Sequence, residues 1–202
     1  MDRWVEFNQK RILEKIPLNG KTLLDIGCAN GEYLQLFSEK LGKQNIAGLD
    51  IYATNVPGIK TVKASAEKIP FPDKSFDVVF EKDALHHVPN REKAFAEMKR
   101  VAKKEIILVE ANLHNRVIDI FIDKRFHRHF SKETLAEFLK GEKYSISFIE
   151  AFPFGSNIIF PLKLLNYLPN FISNAIFYRI GKMLDFFEGE KATFIVCRIS
   201  CR

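Results

Sequence analysis

The chain has 202 residues, of which 47% are hydrophobic and 28% charged, with a formal net charge of +6 and a pI of about 9.2. This length and composition fit one globular domain over 1–202 and exclude a fibrous or low-complexity protein. The mild positive charge permits an anionic partner without requiring one. No apolar run approaches the roughly 20 residues of a membrane-spanning helix.

Cysteine and histidine spacing indicates neither a metal site nor a disulfide framework. The three cysteines, Cys28, Cys197 and Cys201, form no metal-binding spacing and are odd in number. None of the histidines stands at zinc-ligand spacing with a cysteine, so we expect no bound metal. The first residues are charged and lack an apolar signal core. We therefore expect a protein of the reducing cytoplasm.

The N-terminal segment 1–19 is predicted to hold a helix over residues 2–16. Trp4, Phe7 and Ile12 lie partly on one side of this helix, and the following Pro-Leu-Asn-Gly sequence ends it. Two roles remain open for it, which are packing against the edge of a sheet and covering a bound ligand.

A strand, a glycine loop and a helix come next. Residues 22–26 form a short apolar run that suits a strand buried on both faces. Gly27 and Gly31 delimit the loop, and from Glu32 apolar residues recur at helical spacing. This order opens a nucleotide-binding α/β unit, in which glycines let the backbone approach a ligand closely.

The loop differs from those of dinucleotide-binding and phosphate-binding proteins. Ala29 and Glu32 stand where G-x-G-x-x-G needs its second and third glycines, and G-x-x-x-x-G-K-S/T is absent. Asp25 stands at the end of the strand, where its carboxylate would repel a pyrophosphate. An acid at this position suits a ligand that carries an ammonium group.

A second strand over 46–50 ends in Asp50, 23 residues after Gly27. An acid about 20 residues after the glycine loop binds ribose hydroxyls in α/β nucleotide folds, because a carboxylate accepts from both. The segment 52–59 is short, so the helix expected there must be brief or missing. A third strand is predicted over 59–63.

The fourth predicted strand, 75–80, runs into a loop over 81–90 that contains Leu85-His86-His87. Open α/β sheets bind ligands at the carboxyl ends of their central strands. A histidine there can act as a base, since its side chain titrates near neutral pH. We take His86 as the catalytic candidate and His87 as the reserve, while a capping or packing role stays open for each.

The remainder continues the alternation of helices and strands, apart from two insertions. The pattern predicts a helix over 91–102, a fifth strand over 105–110, a helix capped by Ser131, a sixth strand over 145–152 and a last strand over 191–199. Residues 113–130 and 156–188 do not fit the alternation. We interpret both as helical insertions that form a cap over the substrate.

The two insertions differ in composition. Basic and aromatic residues mix over 124–132, which suits either a solvated helix face or an anionic partner such as RNA. The second insertion carries an excess of apolar residues over 157–187, interrupted by charges. Such a surface favours a substrate cap, a subunit interface or a peripheral contact with a membrane, and core packing remains open.

Three motifs together resemble the class I S-adenosylmethionine (SAM) methyltransferases, in their small-molecule, type 11-like branch. They are the loop from Asp25 to Gly31, the acid Asp50, and Phe-Asp-x-Val from Phe76 followed by the Leu-His-His loop. The resemblance covers about residues 20–200. It implies an α/β, Rossmann-like sheet of seven mostly parallel strands with helices on both faces. The last strand is expected to be antiparallel, at the sheet edge.

The same resemblance implies SAM as the cofactor and S-adenosylhomocysteine as the product. The glycine loop would lie against the methionine part, Asp50 on the ribose and Ile51 against the adenine. Ser65 stands where the family has an aspartate on the adenine amino group, so backbone groups of the next residues are expected to read the ring. The implied cofactor-binding residues are Asp25, Gly27, Cys28, Ala29, Gly31, Asp50, Ile51, Ser65, Ala66, Glu67 and Glu81.

The expected function is methyl transfer to a small acceptor that is hydrophobic or lipid-linked. An Asn/Asp-Pro-Pro-aromatic motif, typical of enzymes acting on amino groups of nucleic acids or proteins, is absent. Two alternatives remain, which are an RNA methyltransferase that uses 124–132 and an inactive methyltransferase-like partner subunit that uses 157–187. Nucleic acid is the less expected partner.

Overall fold

A computed structural model describes residues 3–18, 20–52, 54–114, 129–149, 167–186, 189–190 and 192–201. Most of the predicted insertion 113–130 and the first part of the insertion 156–188 lie outside these residues. The same holds for most of the basic stretch 124–132.

Seven strands and five α-helices form within the described residues. In chain order they are α1 (Arg3–Glu14), β1 (Leu23–Ile26), α2 (Glu32–Leu41), β2 (Ile46–Asp50), β3 (Lys60–Lys63), β4 (Phe76–Lys82), α3 (Arg91–Val101), β5 (Ala102–Ala111), α4 (Lys132–Phe138), β6 (Tyr144–Ile149), α5 (Asn170–Phe186) and β7 (Phe194–Ser200). Two short 3-10 helices are Lys43–Asn45 and Leu85–His87. As predicted, the described residues between β2 and β3 contain no helix.

The strands form one sheet in the order β3-β2-β1-β4-β5-β7-β6. The first five are parallel, and β7 runs antiparallel to both β5 and β6. Glu81 of β4 pairs with Ile26 of β1 and with Leu108 of β5, so the carboxyl ends of these three strands meet. The predicted Rossmann-like sheet with an antiparallel last strand is confirmed.

The expectation that the last strand stands at the sheet edge was wrong. β7 lies between β5 and β6, and β6 is the edge strand. The solvent exposure of the two strands explains why β7, and not β6, lies inside the sheet. The first four residues of β7 are all buried, whereas in β6 only Ile149 is buried. An apolar strand gains more than a half-polar one from a place covered on both faces.

Alternate strand residues build two apolar cores, one on each face of the sheet. Leu24 and Val79 pack with side chains of α3 and α4, whereas Leu23 and Val78 pack with those of α1 and α2. The predicted helices on both faces are therefore confirmed. Because Ile12 of α1 is buried in the second core, this helix packs against a face of the sheet and not its edge.

The helix starts near the site have side-chain caps. Asn90 accepts a hydrogen bond from the backbone N–H of Lys93 at 2.9 Å and caps α3. Ser131 accepts from the backbone N–H of Thr134 at 3.2 Å and caps α4, as predicted. The strand β4 extends to Lys82, two residues beyond its predicted end. This extension sets where the Leu-His-His segment begins.

The helix α5, together with the residues just before it, exposes large apolar side chains. The exposed fractions are 80% for Tyr167, 75% for Phe171, 67% for Tyr178 and 50% for Met183. Among the helices of the described ranges, none combines the length and the apolarity that crossing a membrane requires. The described part of the second insertion is therefore an apolar surface on a helix.

Candidate functional site

The glycine loop after β1 is fitted closely to neighbouring segments of the protein. Gly27 donates to the carbonyl of Leu49 at 2.7 Å and has a φ of +73°; a Cβ built on it would lie 2.4 Å from Cβ of Ala84. Gly31 has a φ of +81°, and its Cβ would lie 2.2 Å from Cγ2 of Val56. The sequence analysis attributed these glycines to the approach of a ligand. The structure shows that protein atoms already require them.

Asp50, at the end of β2, fastens this loop. Its Oδ2 accepts a hydrogen bond from the backbone N–H of Ala29 at 2.8 Å, and its Oδ1 accepts from that of Tyr52 at 2.9 Å. Ala29 has a φ of +44°, which is strained for a residue with a side chain. Each carboxylate oxygen can accept a further hydrogen bond, so Asp50 retains the capacity to bind hydroxyls.

A cavity of about 490 Å³ opens at the carboxyl ends of β1, β2 and β4. This volume lies within the range of small-molecule sites. Six predicted cofactor-binding residues line it, namely Gly27, Ala29, Asp50, Ile51, Ser65 and Ala66. Lining residues that the sequence analysis did not assign include Tyr52, Asp83, Leu85, Val88, Pro89 and Met98. The cavity therefore joins the glycine loop to the Leu-His-His segment.

The other five predicted cofactor-binding residues, Asp25, Cys28, Gly31, Glu67 and Glu81, are not part of the cavity lining. The sulfur of Cys28 would lie 2.8 Å from a Cβ built on Gly48, so this side chain packs against β2. The carboxylate of Glu67 accepts from the backbone N–H of Asn90 at 3.1 Å, at the start of α3.

Asp25 and Glu81 are buried carboxyl groups on neighbouring strands. Burial raises the pKa of both well above its usual range. Glu81 and Asp50 add negative charge around Asp25, and Glu110 does so around Glu81. Within the described part of the chain, Oδ2 of Asp25 and Oε1 of Glu81 have no hydrogen-bond partner. Such a concentration of acid groups favours a ligand with positive charge.

Ser65 lines the cavity as a hydroxyl that already has one partner. Its Oγ accepts a hydrogen bond from the backbone N–H of Glu67 at 3.1 Å. A hydroxyl oxygen has a second lone pair for an adenine amino group, but it carries no charge to strengthen that bond.

The segment between β4 and the Leu-His-His sequence is held by two acids. Oε2 of Glu81 accepts from the backbone N–H groups of Ala84 and Leu85, both at 3.0 Å. Asp83 has a φ of +51°, and its Oδ1 accepts from the backbone N–H of Ala111 at 3.0 Å. Backbone strain at such a position persists only where neighbouring groups hold it. These hydrogen bonds order the segment after β4 and attach it to the end of β5.

His86, in the 3-10 helix after β4, and Glu110, at the end of β5, form a buried pair. Nδ1 of His86 lies 2.6 Å from Oε2 of Glu110, and the backbone N–H of His86 donates to Oε1 at 3.2 Å. Burial raises the pKa of Glu110 well above its usual range, and the charge of Asp83 adds to the effect. His87, the reserve candidate, lines the cavity, and its ring centroid lies 4.0 Å from that of His86.

His129 joins this pair from a third segment of the chain. An isolated bridge between Asn112 and Phe130 holds the residues around His129 beside the end of β5. The ring centroids of His86 and His129 are 4.1 Å apart, and one donor atom from each of His86, Glu110 and His129 lies within 4.8 Å of the others. Neither Glu110 nor His129 was predicted as a catalytic residue, although His129 falls in the basic stretch 124–132. No short spacing could have indicated a cluster drawn from three segments.

Comparison with known proteins shows what one part of the chain resembles. The family model of a methyltransferase domain matches residues 24–109. The phthiotriol/phenolphthiotriol dimycocerosates methyltransferase of Mycobacterium leprae is 30% identical over 146 residues, which cover 65% of this chain and 54% of that protein. Residues 24–109 are thus similar to a methyltransferase domain. The chain spans about half the length of the curated relatives that it matches.

Two solved structures show the same methyltransferase fold. A SAM-dependent methyltransferase from Archaeoglobus fulgidus superimposes with a TM-score of 0.64 at 21% identity, covering 98% of this chain and 96% of that one. One from Thermotoga maritima gives a TM-score of 0.65 at 18% identity, with coverages of 100% and 91%. At these identities the likeness concerns the fold.

The residues around the cavity fit SAM. The cavity lies between the glycine loop and the Leu-His-His segment, and Asp50 is at its wall. The carboxylate of Asp50 can accept hydrogen bonds from ribose hydroxyls, and the buried carboxyl groups of Asp25 and Glu81 lie on the adjoining strands β1 and β4. The matching methyltransferase domain model implies SAM or S-adenosylhomocysteine as a ligand.

Proposed function

We propose that this protein transfers the methyl group of SAM to a small acceptor that is hydrophobic or lipid-linked. One observation supports the proposal above the others: a single cavity is lined by both the glycine loop and the Leu-His-His segment. A SAM molecule in that cavity would place its methyl group beside the Leu-His-His segment, where we propose that the acceptor binds. Methyl transfer depends mainly on such alignment and on the exclusion of water.

The cofactor assignments follow the cavity wall. Backbone groups of Gly27 and Ala29 would lie against the methionine part, and the carboxylate of Asp50 would accept from the ribose hydroxyls. Ile51 is 58% exposed and offers an apolar surface for the adenine ring. When bound, SAM supplies an electrophilic methyl group on a positively charged sulfur. A positive charge near Asp25 would favour the ionised form of its carboxyl group, which burial otherwise disfavours by raising the pKa.

We assign to His86 the removal of the proton that an oxygen or nitrogen acceptor loses as the methyl group arrives. Glu110 accepts from the backbone N–H of His86 and lies against Nδ1, which fixes the orientation of the imidazole ring. The new bond from acceptor to carbon forms as the bond from sulfur to carbon breaks, and His86 takes up the proton. Glu110 acts as a positioning residue, because it sets the orientation of the ring.

The apolar character of the acceptor is supported by two features. Tyr167, Phe171 and Tyr178, on the described part of the second insertion, are at least two-thirds exposed. The relative from Mycobacterium leprae is named a methyltransferase of phthiotriol and phenolphthiotriol dimycocerosates. We propose that the surface 157–187 contacts the apolar acceptor or the membrane that carries it.

The test is transfer of labelled methyl from SAM into cell extract that is then separated into lipid, RNA, protein and small-molecule fractions. Label in the lipid or apolar small-molecule fraction is the expected result. Label in RNA would replace the acceptor proposal by one that uses the basic stretch 124–132. Folded protein that binds SAM weakly and labels no fraction would overturn the enzymatic proposal and favour a partner subunit. A Phe171→Ser variant should lower transfer to an apolar acceptor while leaving SAM affinity unchanged.

A further inference from the structure

The cluster of His86, Glu110 and His129 has the composition of a metal-binding site. All three side chains are buried, with exposed fractions of 5%, 0% and 8%. Their donor atoms lie within 4.8 Å of one another and come from the 3-10 helix after β4, from the end of β5 and from the residue before Phe130, which bridges to Asn112. Two imidazoles and one carboxylate are the protein ligands of many catalytic zinc sites, which leave a fourth position open.

The distances in the cluster allow a cation with small side-chain movements. In tetrahedral coordination with bonds of 2.0–2.2 Å, ligand atoms stand about 3.3 Å apart. His86 and Glu110 are closer than this at 2.6 Å, since a proton lies between them. A cation would take the place of that proton, and Nδ1 and Oε2 would separate by about 0.7 Å. His129 needs to move inward by at most about 1.5 Å, since its donor atom lies within 4.8 Å of the other two.

The surroundings of the cluster also favour positive charge. In addition to burial, Glu110 raises the pKa of Glu81, and Asp83 raises the pKa of Glu110. The positively charged side chains beside these three acids are Lys82 and Arg91. Both already have partners, since Lys82 pairs with Asp83 and Arg91 donates to the carbonyl of His86. The neighbours of His86 in sequence, Leu85 and His87, line the proposed cofactor cavity. A cation bound by this cluster would therefore lie next to the cavity lining formed by Leu85 and His87.

We propose that His86, Glu110 and His129 bind a divalent transition-metal ion, best matched by Zn²⁺, whose open position takes the oxygen of the acceptor. Imidazole ligands favour zinc, copper, iron or nickel over magnesium. Binding of the cation stands apart from the proposed function, whereas its use on an acceptor rests on that function. With the cation bound, His86 would be a ligand and not the base. The cation would lower the pKa of the acceptor hydroxyl, so that its proton passes to solvent water. The bond from acceptor oxygen to carbon would then form as the bond from sulfur to carbon breaks, with S-adenosylhomocysteine as the leaving group.

The test measures metal binding before any activity. The full chain is stripped with a chelator, dialysed against Zn²⁺ or Mg²⁺, and its metal content is measured by mass spectrometry. We expect about one tightly held Zn²⁺ per chain and no retained Mg²⁺. His129→Asn and Glu110→Gln should each weaken Zn²⁺ binding at least about 100-fold. His114→Asn is the matched control, because His114 is a half-exposed histidine beside Glu133 and should leave Zn²⁺ binding unchanged.

Cobalt substitution identifies the ligands. Co²⁺ bound by nitrogen and oxygen in tetrahedral geometry gives visible absorption without the charge-transfer bands of thiolates, which would instead place the ion on cysteines such as Cys201. Thiolate bands, an equal loss of binding in His114→Asn, or no retained Zn²⁺ would each overturn the proposal. Circular dichroism and SAM affinity, measured on the same samples, confirm that the variants are folded.

The activity arm separates this proposal from the proposed function. Metal-free protein should bind SAM with unchanged affinity and transfer methyl at least about tenfold more slowly than Zn²⁺-loaded protein. Equal rates with and without metal would overturn the role of the cation and leave His86 as the base. Loss of SAM binding in both forms would instead contradict the proposed function.

Discussion

The proposed cofactor side and the proposed acceptor side of the site are built in different ways. The cofactor side, residues 25–31 with Asp50, consists largely of backbone held in strained positions by its neighbours, such as Gly27 against Ala84. The acceptor side, His86 with Glu110 and His129, consists of side chains that are 24 and 19 residues apart in sequence. A backbone-shaped site leaves a compact motif in the sequence, whereas a side-chain cluster assembled by the sheet leaves none. The predictions below test how separate the two sides are, from the largest effect to the smallest.

Gly27→Ala should damage both sides at once. The new Cβ would lie 2.4 Å from Cβ of Ala84, in a conformation with a φ of +73°. We expect SAM affinity to fall at least about 100-fold, because a clash and a strained backbone together cost several kcal/mol. Isothermal titration measures this affinity. The matched control is Gly141→Ala, which has a φ of +90° but no atom within 4 Å. Equal effects of both variants would show that strain alone is responsible.

Glu110→Gln should affect only the acceptor side. The neutral amide cannot hold His86 as the carboxylate does, so we expect methyl transfer to slow about 100-fold. SAM affinity should stay within about twofold of the original. The control is Glu105→Gln on the same strand, where the carboxylate pairs with Arg198 at 2.6 Å, far from the cavity lining. A drop in SAM affinity in Glu110→Gln would show that the two sides are not separate.

Asp50→Asn should affect only the cofactor side. The carboxylate of Asp50 accepts hydrogen bonds from the backbone N–H groups of Ala29 and Tyr52. The amide of asparagine accepts fewer and weaker hydrogen bonds. A loss of about 1.5–3 kcal/mol corresponds to SAM binding about 10- to 100-fold weaker. Asp73→Asn is a suitable control, since Asp73 is a largely exposed partner of Arg100. An unchanged affinity would remove Asp50 from the ribose site.

Ser65→Asp should strengthen the cofactor side. A carboxylate at this position would accept from the adenine amino group with charge assistance, which a hydroxyl lacks. We expect SAM to bind about fivefold more tightly, equivalent to about 1 kcal/mol. Ser75→Asp adds the same charge outside the cavity and should change nothing. Weaker binding of SAM by Ser65→Asp would indicate that the adenine does not reach this residue.

The smallest effects concern folding stability, and they should have opposite signs at two aspartates. Asp77 receives the backbone N–H of Lys21 at 2.8 Å, and this bond keeps its pKa below the usual value of 3.8. The ionised Asp77 stabilises the folded state at pH values above the pKa that Asp77 has in the unfolded chain. This stabilisation is lost as the pH falls through the lower pKa that Asp77 has in the folded protein. Asp77→Asn should therefore lower the free energy of unfolding at neutral pH by about 1–2 kcal/mol.

Burial raises the pKa of Asp25, so the folded state disfavours its charge. This group makes the protein less stable as pH rises from the unfolded pKa through the folded one. Asp25→Asn should raise the free energy of unfolding at pH 8 while weakening SAM binding. Urea titrations at pH 5 and pH 8 measure both aspartates. A loss of stability in Asp25→Asn at pH 8 would contradict this account of the cofactor side.

Most of the fold could be predicted from the sequence, because each buried strand is a compact apolar run with a turn after it. Strand order at the antiparallel end could not, since β6 and β7 compete for one interior place and only their relative burial settles it. Among the cofactor residues, Asp50 and Ile51 are found at the cavity wall. Cys28 and Glu67 lie elsewhere, because a motif specifies neighbours in sequence but not where each side chain points.

The sequence by itself determined the α/β fold class, the order of the elements and the glycine loop that a cofactor is proposed to meet. These properties depend on local periodicity and on glycines next to an acid, which are readable over a few residues. Only the tertiary structure decided that Ala84 requires Gly27, that His86 rests on Glu110, and that His129 completes the cluster. These contacts join residues far apart in the chain, and only parallel strands that end at the same edge of the sheet bring them together.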